Sequence, residues 1–172
     1  MTAYIALLRA VNVGGTGKLP MSDLRDMCED AGFSQVKTYI ASGNVVFASD
    51  ESEKAVKAAL EKRLADYAGK PVGVLVRTGA EMADVLDANP FPNDKPNHTV
   101  AIFLDASPAQ DAAKTARGAA ENEKIALGKR EIYVSYGDGM GRSKLKIDAA
   151  KGGTARNINT IGKLVAMAGA VE

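Results

Sequence analysis

At 172 residues the chain suffices for one large domain or two small ones. Its 22 Lys and Arg nearly cancel its 21 Asp and Glu, and the resulting net charge of +1 excludes a global field able to gather nucleic acid or an acidic membrane surface. Cys28 is the only cysteine, which excludes an internal disulfide and a cysteine-built metal site.

The first apolar run, Tyr4 to Leu8, stops at Arg9 and meets Asn12-Val13-Gly14-Gly15-Thr16-Gly17-Lys18, the pattern of a strand feeding a glycine-rich loop. Met1 to Ala10 carries neither a basic leader nor an apolar run of signal-peptide length. No stretch approaches the ~20 apolar residues of a membrane span, so the expected location is the cytoplasm, with no membrane attachment. A helix is predicted next, with Met21, Leu24, Met27, Cys28 and Ala31 on one face and Gly32 as its left-handed cap. That face makes Cys28 a small core residue rather than a nucleophile. Val36 to Ile40 and Asn44 to Ala48, separated by Ala41-Ser42-Gly43, read as an antiparallel hairpin. Asp50 with Glu53 resembles a cap that opens a helix bearing Val56, Ala59, Leu60 and Leu64. Gly69 ends that helix, and Val72 to Val76 is a buried strand.

Thr78-Gly79-Ala80-Glu81 is a capping box for a helix that runs out at Asn89-Pro90-Phe91-Pro92-Asn93. His98, the only histidine, falls at the edge of the next strand, Thr99 to Leu104. Ser107-Pro108-Ala109-Gln110 combines an N-cap, a first-turn proline and a box partner, and predicts a helix with mainly alanine to bury. Lys124 to Leu127 and Glu131 to Ser135 form a second hairpin, and the tail places Ile158, Ile161, Leu164 and Val165 on one helical face. The element order thus predicts an α/β chain of the α+β kind, with two ferredoxin-like βαββα-type halves and antiparallel sheets. Residues 1–78 form a βαββαβ half, 79–97 a helix and Pro-rich linker, and 98–172 a second βαββα half without an obvious closing strand. The similarity of the halves is one of element order, with no residue-level repeat.

Three loops carry the residue types of an anion site. In the first, consecutive glycines let backbone N–H groups converge at a strand end, although Asn12 and Leu19 stand where a nucleotide-hydrolysing P-loop needs its first glycine and its hydroxyl. The second, Tyr136 to Lys146, delivers Arg142, Lys144, Lys146 and Ser143 from a glycine-rich turn; its Asp138 reads as a turn residue. In the third, Arg156 and Asn157 stand at a predicted helix N-terminus, where Asn157 is a natural cap. A base-stacking, RNA-recognition reading of the sheet fails for want of aromatics, since the strands offer Ile5, Val45, Val46 and Phe47.

Five strings in order resemble a bacterial family, domain of unknown function 1697. They are Ala6-Leu7-Leu8-Arg9-Ala10-Val11-Asn12-Val13-Gly14-Gly15, Thr38-Tyr39-Ile40-Ala41-Ser42-Gly43-Asn44-Val45-Val46-Phe47, Asn89-Pro90-Phe91-Pro92, Gly141-Arg142-Ser143-Lys144-Leu145 and Thr154-Ala155-Arg156-Asn157. The resemblance runs nearly end to end and implies ferredoxin-like architecture; it supplies no catalytic residues. Where the family's tail has tryptophan, this chain has Ile158. The strings fall on the three loops and on the hairpin turn Ser42-Gly43-Asn44.

The expected function is to hold an anionic small molecule or nucleotide between the halves. The donors are Arg9, Asn12, Gly14, Gly15, Lys18, Ser42, Asn44, Arg142, Ser143, Lys144, Arg156 and Asn157. Nucleic acid bound along an open groove is one rival, disfavoured by neutral charge and few aromatics. A protein-interaction module that docks a partner on a sheet edge or on the alanine-rich helix is the other. The sequence names no catalytic residue, cofactor or metal ligand, and leaves open whether the protein is an enzyme.

Overall fold

The computed structural model describes residues 1–9 and 18–171, without the Arg142 side chain. The chain divides into two compact units, Met1–Ala83 with Lys163–Glu172, and Asp84–Gly162.

In the first unit, strands β1 (Thr2–Leu8), β2 (Ser34–Tyr39), β3 (Asn44–Ser49) and β4 (Val74–Thr78) form one sheet in the order β2-β3-β1-β4, with every neighbouring pair antiparallel. Helices α1 (Met21–Asp30) and α2 (Glu53–Ala68) pack Leu24, Cys28, Val56, Leu60 and Leu64 against Tyr4, Ala6, Leu8, Val45 and Phe47. The opposite face, carrying Ile5, Leu7, Val46 and Leu75, is equally withdrawn from solvent. Burial on both faces explains why these strands are continuous apolar runs rather than alternating ones.

Local chemistry ends each element where it does. Gly32, at φ 88°, closes α1 with paired bonds from its own N–H to the Glu29 carbonyl and from Phe33 N–H to the Cys28 carbonyl, at 3.0 and 3.1 Å. Phe33 then stacks on Phe47 with ring centroids 4.3 Å apart. The cap of α2 is Ser52, whose hydroxyl accepts from Ala55 N–H at 3.2 Å, so the expected Asp50 cap lies two residues early. Thr78 and Glu81 exchange both bonds of the predicted capping box, at 3.1 and 2.9 Å, and open α3 (Gly79–Asp87).

The second unit builds its sheet from β5 (Thr99–Phe103), β6 (Lys124–Leu127), β7 (Glu131–Ser135) and β8 (Thr154–Asn157), in the order β6-β7-β5-β8 and again fully antiparallel. The two sheets therefore share one topology: the second strand, then the third, the first and the last. The closing strand β8, four residues long and rich in polar side chains, gave no period-2 hydrophobic signal; its pairing partner β5 supplies what its own sequence lacks.

The helix predicted from Ser107 is a second difference, because this stretch folds as successive turns. Of its alanines only Ala112 is buried, and an alanine face removes too little apolar area from water to hold a helix against the sheet. Turns and short 3-10 segments cover that sheet face instead, through Leu104, Ala112, Met140, Leu145 and Ile147. The last helix, α4 (Ile158–Gly169), follows β8 directly. No helix of the described residues is long and apolar enough to cross a membrane.

Candidate functional site

Strand register places the start of β5, the start of β6, the end of β7 and the end of β8 at one end of the second sheet, since Thr99 and Lys124 both pair with Ser135, and Asn157 pairs with Val100. Polar side chains collect there. Ser135 donates to Asp94 at 2.7 Å, Lys124 pairs with the same carboxylate at 2.7 Å, and its ammonium stands 5.1 Å from the Phe91 ring centroid. The Lys124 and Ser135 donors hold the Asp94 carboxyl below its ordinary value. Lys95 lies 2.6 Å from Asp138 and lowers that carboxyl in the same way. Between them the 3-10 turn Pro96–His98 leads into β5, and His98 Nδ1 is buried without a hydrogen-bond partner among the described residues.

Beside this cluster lies a cavity of about 230 Å³, lined by Gly118, Ala120, Asn122, Glu123, Tyr136, Ser143 and Lys144, all from the second unit. Its wall is organised by one carboxylate. Glu123 Oε1 accepts Ala120 N–H at 2.7 Å, and Oε2 accepts the Ser143 hydroxyl. Ser143 Oγ also accepts Leu145 N–H at 3.2 Å, which turns the chain out of the 3-10 segment Gly137–Arg142. Burial, and then the Glu123 charge, push the Tyr136 phenol above its ordinary pKa.

Along the rim, Arg117 and Lys146 exchange backbone hydrogen bonds at 2.8 and 2.7 Å, an isolated antiparallel bridge. Cross-strand partners project to the same face, and Lys144, two residues from Lys146, shares it. Arg117, Lys144 and Lys146 are all exposed, Arg117 reaching Asp148 at 2.9 Å. Gly118 permits this close approach: it sits at φ 75°, and a Cβ there would lie 2.2 Å from the Lys144 carbonyl oxygen.

The sequence-predicted residues separate by unit. Ser143 and Lys144 line the cavity. Arg142 ends the 3-10 segment beside them, with its side chain outside the described residues. Arg156 is buried in β8, where its Nη1 donates to Thr154 Oγ1 at 2.7 Å and to the Ala155 carbonyl at 2.9 Å; burial lowers its pKa to about 10, still well above neutrality. Asn157 caps α4, its Oδ1 accepting Thr160 N–H at 2.8 Å.

In the first unit, Asn44 is buried and its amide donates to the Tyr39 carbonyl at 2.9 Å and to Ser42 Oγ at 3.0 Å, so this pair closes the β2–β3 turn. Leu8 N–H bonds the Gly43 carbonyl and Arg9 N–H the Gly73 carbonyl, each at 2.9 Å, tying the end of β1 to its neighbours. Lys18 is exposed ahead of α1. Asn12, Gly14 and Gly15 lie outside the described residues. Asn122 and Glu123 were missed by sequence reasoning because they belong to a plain polar stretch, and Glu123 meets Ser143 across 20 residues. Tyr136 stood in view as the first residue of the second loop.

The fold and the cavity together define an α+β protein of two antiparallel four-stranded sheets with a pocket in its second unit. A conserved bacterial protein from Streptococcus pneumoniae, SP0830, has a similar solved structure, with a TM-score of 0.80 at 23% identity over 97% of this chain and 98% of that one. The family described as Protein of unknown function (DUF1697) matches residues 1–133, and the chain belongs to it. No curated protein matches the chain.

Proposed function

We propose that the protein binds an anionic small molecule, of nucleotide size or smaller, at the pocket of its second unit. The observation that carries this reading is the exposed cationic ribbon Arg117, Lys144 and Lys146 at the rim of the cavity that Lys144 and Gly118 line. Arg117 is offset by its partner Asp148, so the local positive field comes mainly from Lys144 and Lys146, and it acts on a ligand within about a Debye length, ~8 Å.

A thermal-shift titration with inorganic phosphate, ribose 5-phosphate and a short oligonucleotide tests the reading, run beside the double variant Lys144→Ala, Lys146→Ala. A ligand at a hundredfold its Kd stabilises the fold by about 2.7 kcal/mol, roughly 5–10 °C in Tm for a chain of this size. The expected result is a shift from a small anion that the double variant loses. A shift from the oligonucleotide alone, with steep salt dependence, would replace the reading with nucleic-acid binding.

A further inference from the structure

We infer that the pocket selects a hydroxyl-bearing phosphate, the ribose phosphate shared by a free sugar phosphate and a nucleotide, and that Glu123 is the residue that holds its hydroxyls. The inference rests on the anion-binding reading above. A cationic rim alone would take any anion, but the cavity wall behind it carries a carboxylate. Ala120 N–H and the Ser143 hydroxyl fix that carboxylate from two sides and occupy about two of its roughly four acceptor positions. A fixed carboxylate repels phosphate, so the part of the ligand that faces it must donate hydrogen bonds.

The remaining wall identifies the donor. Asn122 offers both a carbonyl and an amide, Tyr136 a neutral phenol, and Ser143 the one lone pair left after its hydroxyl donates to Glu123 and accepts Leu145 N–H. Hydroxyls both donate and accept, and so can use all of these groups; an ammonium only donates. Carboxylate acceptance from vicinal ribose hydroxyls is the established chemistry of nucleotide sites on unrelated folds. The cavity's volume of about 230 Å³, several times the share of about 30 Å³ that one water takes, is room for a pentose ring. The phosphate then reaches Lys144, and whatever the sugar carries extends along the ribbon toward Lys146 and Arg117.

Calorimetric titration tests this with four probes, inorganic phosphate, ribose 5-phosphate, adenosine 5′-monophosphate and phosphoethanolamine, against the wild type, Glu123→Gln and Lys144→Ala. The ribose phosphates are expected to bind at least about tenfold more tightly than phosphate, an increment of about 1.4 kcal/mol. Glu123→Gln keeps an oxygen for Ala120 N–H and is expected to erase that preference while leaving phosphate binding in place; Lys144→Ala is expected to weaken all the phosphates. If the monophosphate binds more tightly than ribose 5-phosphate, the source is a nucleotide; otherwise it is a free sugar phosphate. Should Glu123→Gln fail to fold, Asn122→Ala at an exposed position carries the same expected loss of preference. Equal affinity for phosphate and ribose 5-phosphate, a preference that survives Glu123→Gln, or tighter binding of phosphoethanolamine would each overturn the inference and leave the anion site standing. No binding of any probe would remove both.

Discussion

The Cys28 thiol lies on the buried face of α1, and desolvation pushes its pKa up to about 12. Without thiolate it is a poor nucleophile. Titration with an aromatic disulfide reagent should therefore find no reactive thiol in the folded protein and one in denaturant; rapid labelling of the native state would contradict the burial. Asn44 is the polar counterpart, since its amide closes the β2–β3 turn from a fully buried position. Asn44→Ala leaves the Tyr39 carbonyl short of a donor and should cost about 1–3 kcal/mol in urea unfolding, with Ser42→Ala, at an exposed position, costing far less. Asp94 contributes a pH dependence. Its folded pKa is depressed by Lys124 and Ser135 below the ordinary 3.8, so its stabilisation is present above that value and lost as pH falls through the folded one. Asp94→Asn should flatten the acid limb of the stability profile and leave its slope near neutrality unchanged.

Elements in the second unit are short, and their ends carry the chemistry. Asn157 is both the last residue of β8 and the cap of α4, so one amide joins the closing strand to the helix that follows. Asn157→Ala should destabilise by about 1 kcal/mol, the ordinary value of an N-cap, and Asn157→Ser should restore most of it. The turn at Gly118 is more demanding. At φ 75°, with the Lys144 carbonyl 2.2 Å from where a Cβ would stand, Gly118→Ala must open the ribbon between Arg117 and Lys146. The variant is expected to lose the phosphate response proposed for the wild type while retaining both sheets by circular dichroism; an unaltered titration would show that the ribbon does not organise the proposed site.

Taken as a whole, the molecule repeats one strand order twice, and what distinguishes the copies is what covers each sheet. In the first unit α1 and α2 present Leu24, Leu60 and Leu64, side chains large enough to contribute about 1.5–3 kcal/mol each on burial. A periodic pattern of such residues is legible in a sequence because it is local, and so β1 through α3, with the capping box at Thr78 and the glycine cap at Gly32, could be read directly. The second unit's covering segment offers Ala112 where the first offers leucines, and local capping signals at Ser107 misled because no apolar stripe backed them. The strand β8 was illegible for the complementary reason: an edge strand of four residues takes its conformation from β5 and carries little pattern of its own. The same division applies to the site. Glycines, lysines and a serine marked the loop from Tyr136 to Lys146 because their conformational and charge properties belong to single residues. The partners that make that loop a pocket, Glu123 on Ser143 and Arg117 against Lys146, are pairs separated by tens of residues. Composition and local periodicity by themselves determined the class of fold, the burial of Cys28 and the loop where cations gather. Only the tertiary structure decided that the second sheet closes with a fourth strand and that a carboxylate stands behind the cations, because both depend on contacts whose entropy of closure is met by the whole fold rather than by any one segment.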